Sequence, residues 1–310
     1  MYFPLSGVTV DPWLPPLVAF VISFFTSMGG ISGAFLLLPF QMSVLHYTHP
    51  SVSSTNQLYN IVAIPPGVYR YWREGRMLWP LTWTVVLGTL PGVLIGALVR
   101  VNGLRDPKNF KLFAAVVLLY IGGKLVLDQL KKNAGAKRLS EQRFQRAKNG
   151  SVTGSALKDY TVQVTEKNLR RFSFTFQGEH FDVNRTGVFL LCFVVGIVGG
   201  IYGIGGGAII APFLVSFCKL PIYTIGGATL MGTLVTSIAG VGFYTAIAPL
   251  YPQLAVAPDW LLGLLFGLGG MLGMYCGARC QKYVPAKLIK WLLAVIILMT
   301  AGRYLLEFFS

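Results

Sequence analysis

The sequence predicts an all-α polytopic membrane protein of two repeats in inverted topology. Each repeat has a broken re-entrant helical hairpin plus three spanning helices, and a small cytoplasmic α/β linker element joins them. Three observations carry this prediction. The 310 residues are 54% hydrophobic and only 12% charged, mean hydropathy is +0.62, and several apolar runs reach the ~20 residues that a bilayer core demands. A glycine-rich phrase occurs twice, 173 residues apart: Gly30-Ile31-Ser32-Gly33 leading to Leu38-Pro39-Phe40, and Gly203-Ile204-Gly205-Gly206 leading to Ala211-Pro212-Phe213. Charge is segregated, with twelve of the 26 Lys and Arg from Lys131 to Arg185, in the polar interval or at the edge of the run that follows it.

The formal net charge of +15 therefore points to a cytoplasmic loop obeying the positive-inside rule, not to nucleic acid. Met1 to Pro16 holds no Lys or Arg and has Pro4, Pro12, Pro15 and Pro16. It lacks the basic start of a signal peptide and is expected to be retained on the outer face of a cytoplasmic membrane. Cys192, Cys218, Cys276 and Cys280 lie in or beside apolar segments, where small buried thiols are the default and a disulfide framework is not expected. Cys276 and Cys280 share a helix face, but a metal site would need more ligands nearby, so neither metal nor cofactor is expected.

Apolar blocks run from Leu14 to Leu45, Ser51 to Tyr71, Met77 to Arg100 and Phe110 to Leu130, then Arg185 to Phe217, Ile222 to Pro249, Trp260 to Cys280 and Ala286 to Phe308. The halves match beyond the glycine phrase. Gly88, Gly92, Gly96 and Ala97 return 181 residues later as Gly269, Gly273, Gly277 and Ala278, while Lys111, Ala115, Gly123, Lys124 and Asp128 lie 179 residues before Lys290, Ala294, Gly302, Arg303 and Glu307. Shared order with drifting offsets means duplication with short loop insertions. This gives a first membrane repeat over 1–131, a basic linker over 132–184 and a second repeat over 185–310. The Gly88, Gly92, Gly96 spacing forms a small-residue stripe that admits a neighbouring backbone, which helix packing explains without a ligand.

The first block of each half, about 32 residues, is too long for one span of ~20 and too short for two. Gly29, Gly30 and Gly33 interrupt it near its middle, as a helical hairpin that dips into the membrane and returns would require. Such a hairpin plus three crossings is an odd unit, so the second copy is inverted. The three arginines of the Arg70 to Arg76 loop, against none in its counterpart Ala248 to Asp259, agree with inversion. The four basic residues from Arg100 to Lys111, which inversion puts outside, argue the other way. Four simple spans per half in parallel orientation is the alternative. Both termini are expected outside.

In the linker, Lys137 to Lys148 reads as a basic amphipathic helix. Tyr160 to Thr165 and Phe172 to Phe176 alternate with strand period around a Lys167-Asn168 turn. Connecting two membrane units is its expected role.

A tip of consecutive glycines exposes backbone N-H groups, and the helix that follows aims its positive end at the same place, which suits an anion. The next block of each half adds polar groups: Ser54, Thr55, Asn56, Gln57 and Asn60 in the first, Thr229, Thr233, Thr236 and Ser237 in the second. Amides and hydroxyls bind an oxyanion without a fixed charge, so release stays easy. The candidate binding residues are Gly30, Ser32, Gly33, Thr55, Asn56 and Gln57, with Gly203, Gly205, Gly206, Gly207, Thr229 and Thr233. Interhelical hydrogen bonding is the competing use of each polar residue. Asp128 and Glu307 lie near helix ends, so a carboxylate proton relay is hard to place. Lys124 with Asp128, and Arg303 with Glu307, read as i, i+4 pairs. No enzyme constellation is present: no HExxH, GxSxG or P-loop.

Gly203-Ile204-Gly205-Gly206-Gly207 followed by Ala211-Pro212-Phe213-Leu214, echoed in the first half, resembles the sulfite exporter TauE/SafE family of membrane permeases. Ala228-Thr229 and Thr236-Ser237, matched by Ser54 and Thr55, also look like the family's polar positions. Ser32 departs from the pattern, standing where Gly205 stands in the second copy. The resemblance implies export of a small sulfur oxyanion or organosulfonate, such as sulfite, thiosulfate or sulfoacetate, through the cytoplasmic membrane by a secondary transporter. An anion channel, or an intramembrane enzyme acting on a sulfur compound, is the alternative. The expected partners are this substrate and the lipid bilayer, with no nucleic acid; a homodimer is compatible with the sequence.

Overall fold

The computed structural model describes residues 1–29, 32–75, 77–130, 163–167, 171–176, 179–218, 220, 222–280 and 286–309. The first half holds a short β hairpin, β1 (Tyr2–Phe3) and β2 (Val8–Thr9), then helices α1 (Leu14–Gly29), α2 (Ala34–Ser43), α3 (Ser51–Ala63), α4 (Pro65–Arg73), α5 (Trp79–Asn102) and α6 (Pro107–Leu130). Strands β3 (Gln163–Lys167), β4 (Arg171–Phe176) and β5 (Glu179–Asn184) follow. The second half holds α7 (Arg185–Tyr202), α8 (Gly206–Phe217), α9 (Ile222–Ile247), α10 (Trp260–Cys280) and α11 (Ala286–Phe309).

Both long first blocks break where their glycines stand. At 1.5 Å per residue, α2 and α8 are about 15 and 18 Å long, roughly half a bilayer core. Among the described residues, six helices are long and apolar enough to span: α5, α6, α7, α9, α10 and α11. That departs from the expected three per half. The Ser51 to Tyr71 block is two helices, because Pro65 and Pro66 follow Ile64 and bring no N-H to bond the preceding turn. Conversely, α7, the first arm of its hairpin, reaches spanning length with 18 residues.

The glycine stripes act as backbone seats. A Cβ at Gly92 or Gly96 on α5 would strike the Phe193 or Ile197 carbonyl of α7, and one at Gly196 or Gly200 on α7 would strike the carbonyl of Thr89 or Val93. In the other half, a Cβ at Gly269, Gly273 or Gly277 on α10 would strike the carbonyl of Pro16, Phe20 or Phe24 on α1. Both pairs run parallel, and each joins the first apolar block of one half to the third block of the other. By contrast α6 and α11, which hold matching positions in the two halves, run antiparallel: Lys111 near the start of α6 meets Glu307 near the end of α11, and Gly122 meets Leu298.

The loops sort to two ends. At one end Ser6 bonds Asp259, the Ser51 N-H bonds the Ala255 carbonyl at 2.9 Å, and the Tyr251 hydroxyl bonds Asn102 at 3.1 Å. At the other, Tyr71 packs against Gly226 and Gly227, and Met77 against Gly227. Asp259, read as a loop residue, is buried: it caps α10 by accepting from the Leu262 N-H at 3.1 Å, and it accepts from the Ser6 hydroxyl at 2.9 Å.

Glu307 takes two partners, Lys111 at 2.6 Å and Arg303 at 2.8 Å. The latter is the expected i, i+4 pair; the Asp128 side chain lies outside the described ones. These groups are a quarter or more exposed, so Glu307→Gln is expected to cost no more than about 1 kcal/mol, read as a small fall in melting temperature in detergent.

The linker strands form one antiparallel sheet in the order β3-β4-β5, with Phe174 stacked on Phe181 at 5.2 Å and Phe172, Phe174, Phe176 and Val183 buried. The third strand was not expected, since Glu179-His-Phe-Asp-Val-Asn has only two apolar positions. It leads directly into α7, whose Gly187 N-H is capped by Asn184 at 3.1 Å. The Lys137 to Lys148 segment lies outside the described residues.

A candidate anion site between two broken helix pairs

The second tip is built on conformations only glycine takes comfortably. Gly203 ends α7 in the left-handed region (φ 79°, ψ 22°), and its N-H bonds the Gly199 carbonyl at 2.9 Å. Gly205, at φ 74° and ψ 155°, turns the chain into α8. Neighbours crowd in: a Cβ at Gly203 would strike the Ser53 backbone, at Gly206 the Thr89 side chain, and at Gly207 the Thr229 carbonyl. At the first tip a Cβ at Gly33 would lie 2.6 Å from the Tyr59 hydroxyl and 3.0 Å from that of Ser23. Gly30 lies outside the described residues.

The tips meet through α3. One amide nitrogen, Nδ2 of Asn56, donates to the Ala34 carbonyl in the first turn of α2 at 3.0 Å and to the Gly203 carbonyl at 3.1 Å. Four residues on, Asn60 Nδ2 donates to the Ile204 carbonyl at 3.1 Å and reaches Ser237 at 3.4 Å. Ser53 donates to the Ile201 carbonyl at 3.0 Å. One buried amide therefore joins the first turn of α2 to the Gly203 turn that leads into α8, and helix starts of this kind carry N-H groups without intrahelical partners and about half a positive charge. Some of those N-H groups have acceptors already: the Ala34 N-H reaches Ser32 Oγ, and the Gly206 N-H reaches Thr236 Oγ1, both at 3.4 Å.

The predicted residues divide. Asn56 joins Gly203 to Ala34, the residue after Gly33; Thr233 packs on Gly205 and Gly207, Gly207 also meets the Thr229 carbonyl, and Gln57 lies beside Gly240 on α9. Thr55 points elsewhere: its hydroxyl is 2.9 Å from that of Tyr47 and accepts from the Asp259 N-H at 2.9 Å. Thr229 donates to the Gly226 carbonyl, and Thr233 to that of Thr229. These hydroxyl protons satisfy carbonyls of their own helix. The asparagine N-H groups hold tip carbonyls, so the interhelical use of these amides is the one seen. Gln57 Nε2 and Oε1, Asn56 Oδ1 and Asn60 Oδ1 are buried and have no hydrogen-bond partner among the described residues.

Sequence reasoning missed Ser53, Thr89, Tyr59 and Ser23 as tip neighbours. Ser53 stands in the polar run and was legible; the others lie on faces whose partner only the fold reveals. Every side chain of the cluster is buried, from Ser32 at 8% exposure to Asn56 and Gln57 at 0%.

Six long apolar helices among the described residues, α7 being both one of them and an arm of the second interrupted pair, define a polytopic all-α membrane protein. The chain belongs to the sulfite exporter TauE/SafE family, whose model matches residues 16–304. It is similar to the "Probable membrane transporter protein YdhB" of Bacillus subtilis (strain 168), with 28% identity over 122 residues. That match covers 39% of this chain and 46% of the relative, so the chain spans less than half the length of the curated relative it matches. No solved structure matches the chain.

Proposed function

We propose that the chain is a secondary transporter that exports a small sulfur-containing anion, sulfite or an organosulfonate, across the cytoplasmic membrane. The carrying observation is the buried Asn56 amide, which holds the first turn of α2 and the Gly203 turn ahead of α8 at once, with no carboxylate among its described partners. An anion there is stabilised by dipoles instead of a fixed charge, as reversible binding requires. Family membership supports the sulfur anion as substrate.

The two halves form inverted repeats with re-entrant hairpins. The antiparallel α6 and α11 support this, as do the half-length α2 and α8 and the sorting of loops to two ends. The basic residues from Arg100 to Lys111 weigh less against it than their number implies, since Arg100 is buried and Lys111 is ion-paired. The termini and the 248–259 loop lie outside, the linker inside. Because the site is closed over, the ligand reaches it only when packed parts move, which favours alternating access over an open channel.

A proteoliposome panel of sulfite, thiosulfate, sulfate, sulfoacetate and taurine tests the reading, with binding measured for Gly205→Leu and Thr233→Val. Saturable counterflow of at least one sulfur anion is expected. Each variant should bind it about ten-fold or more weakly, equivalent to ~1.4 kcal/mol. Unchanged binding in both folded variants would sink the assignment.

A further inference from the structure

The glycine stripe of α5 does not stop at Gly96. Its next member at the four-residue step is Arg100. Along the stripe, Gly88 seats against Phe189 and Cys192, Gly92 against Phe193 and Ile197, and Gly96 against Ile197 and Ile201. α7 then ends at Tyr202. One step further α5 has no α7 backbone to touch, and an arginine takes the lane that the ended helix leaves open.

This guanidinium is fully buried, at 0% exposure. It donates to the carbonyls of Leu104 and Thr48, the latter at 3.1 Å, and lies 3.7 Å over the Phe110 ring. No carboxylate pairs with it among the described residues, and its Nε is buried with no hydrogen-bond partner there. Two carbonyls and a ring face supply partial charges only. Arginine does not shed its proton, so a buried guanidinium calls for a full negative counter-charge. Asp259, the buried acid at this end, is committed to Ser6 and the Leu262 N-H. Tyr244 on α9 donates to the Gly200 carbonyl at 3.4 Å, within one turn of the Gly203 tip.

We propose that Arg100 is a second anion station, taking the same sulfite or sulfonate from the tip on its way to the end formed by residues 44–50, 103–106 and 248–259. This rests on the transport reading above. The guanidinium fork matches two oxygens of a sulfite or sulfonate group. The tip, without a fixed charge, holds the anion weakly enough to release, and Arg100 supplies a charged station beyond it.

The test uses the full chain in proteoliposomes, with sulfite as probe, and the variants Arg100→Gln and Arg100→Lys beside Gly205→Leu. Arg100→Gln is expected to slow sulfite counterflow about ten-fold or more while equilibrium binding at the tip stays within about three-fold, because the lost contact is charge-assisted and lies off the tip. Arg100→Lys keeps the charge but loses the fork, so its preference should shift from sulfite and sulfoacetate toward chloride. If Arg100→Gln does not fold, the lysine variant decides: wild-type selectivity and rate there overturn the station. If Gly205→Leu weakens sulfite binding and both Arg100 variants transport like wild type, only this inference fails. If Gly205→Leu binds sulfite normally, the tip assignment fails first.

Discussion

Asn56→Ala is expected to abolish measurable sulfite counterflow while leaving a protein that still folds. The amide it removes makes two interhelical bonds, to the Ala34 and Gly203 carbonyls. Bonds of this kind in membranes average ~0.6 kcal/mol and reach ~1.7. The stability loss is then about 1–3 kcal/mol, visible as a lower melting temperature and not as aggregation. The functional loss is larger, because the two helix ends cease to face one anion and become two half-sites. Sulfite affinity should fall about a hundred-fold, ~2.7 kcal/mol. Wild-type affinity in a folded Asn56→Ala protein would show that the convergence of tips is packing alone.

Gly92→Leu acts on stability first. Its Cβ would strike the Phe193 carbonyl and lie 2.9 Å from the Ile197 nitrogen and 3.0 Å from the Gly196 carbonyl carbon. All three are backbone atoms inside a helix, so nothing rotates aside; α5 and α7 must separate along their whole seat. The cost is expected at or above the upper end of the overpacking range, about 3 kcal/mol. Gly123→Leu on α6 is the control, since a Cβ there meets nothing within 4 Å. Size-exclusion profiles after heating should show Gly92→Leu lost well before Gly123→Leu. Equal survival would remove the backbone seat as a principal support of the fold.

Much of this fold is legible in the chain because glycine and hydropathy are local signals. The breaks at Gly29 to Gly33 and Gly203 to Gly207 fall where the glycines stand, and the Gly88, Gly92, Gly96 stripe does admit a backbone. The division at Ile64-Pro65 was also written in the sequence, as two prolines that hydropathy alone passes over. β5 was not, because Glu179, His180 and Asp182 hide its alternation. Periodicity tells which face of α3 is polar but not what it meets. Hence the sequence makes Asn56 a donor to a ligand, while its protons hold two tips, and places Thr55 at the tip, while it turns toward Tyr47 and Asp259. Arg100 looked like the charged end of an apolar block, which ordinarily reaches for water. Only the end point of α7 explains why it stays inside.

The reciprocal seating of α1 on α10 and α5 on α7 means that the covalent halves of this protein are not its mechanical bodies. Each half gives its hairpin to the other, so the chain has the form of a domain-swapped pair whose two members have been spliced together. Any rigid unit that shifts during transport must contain segments from both sides of the linker.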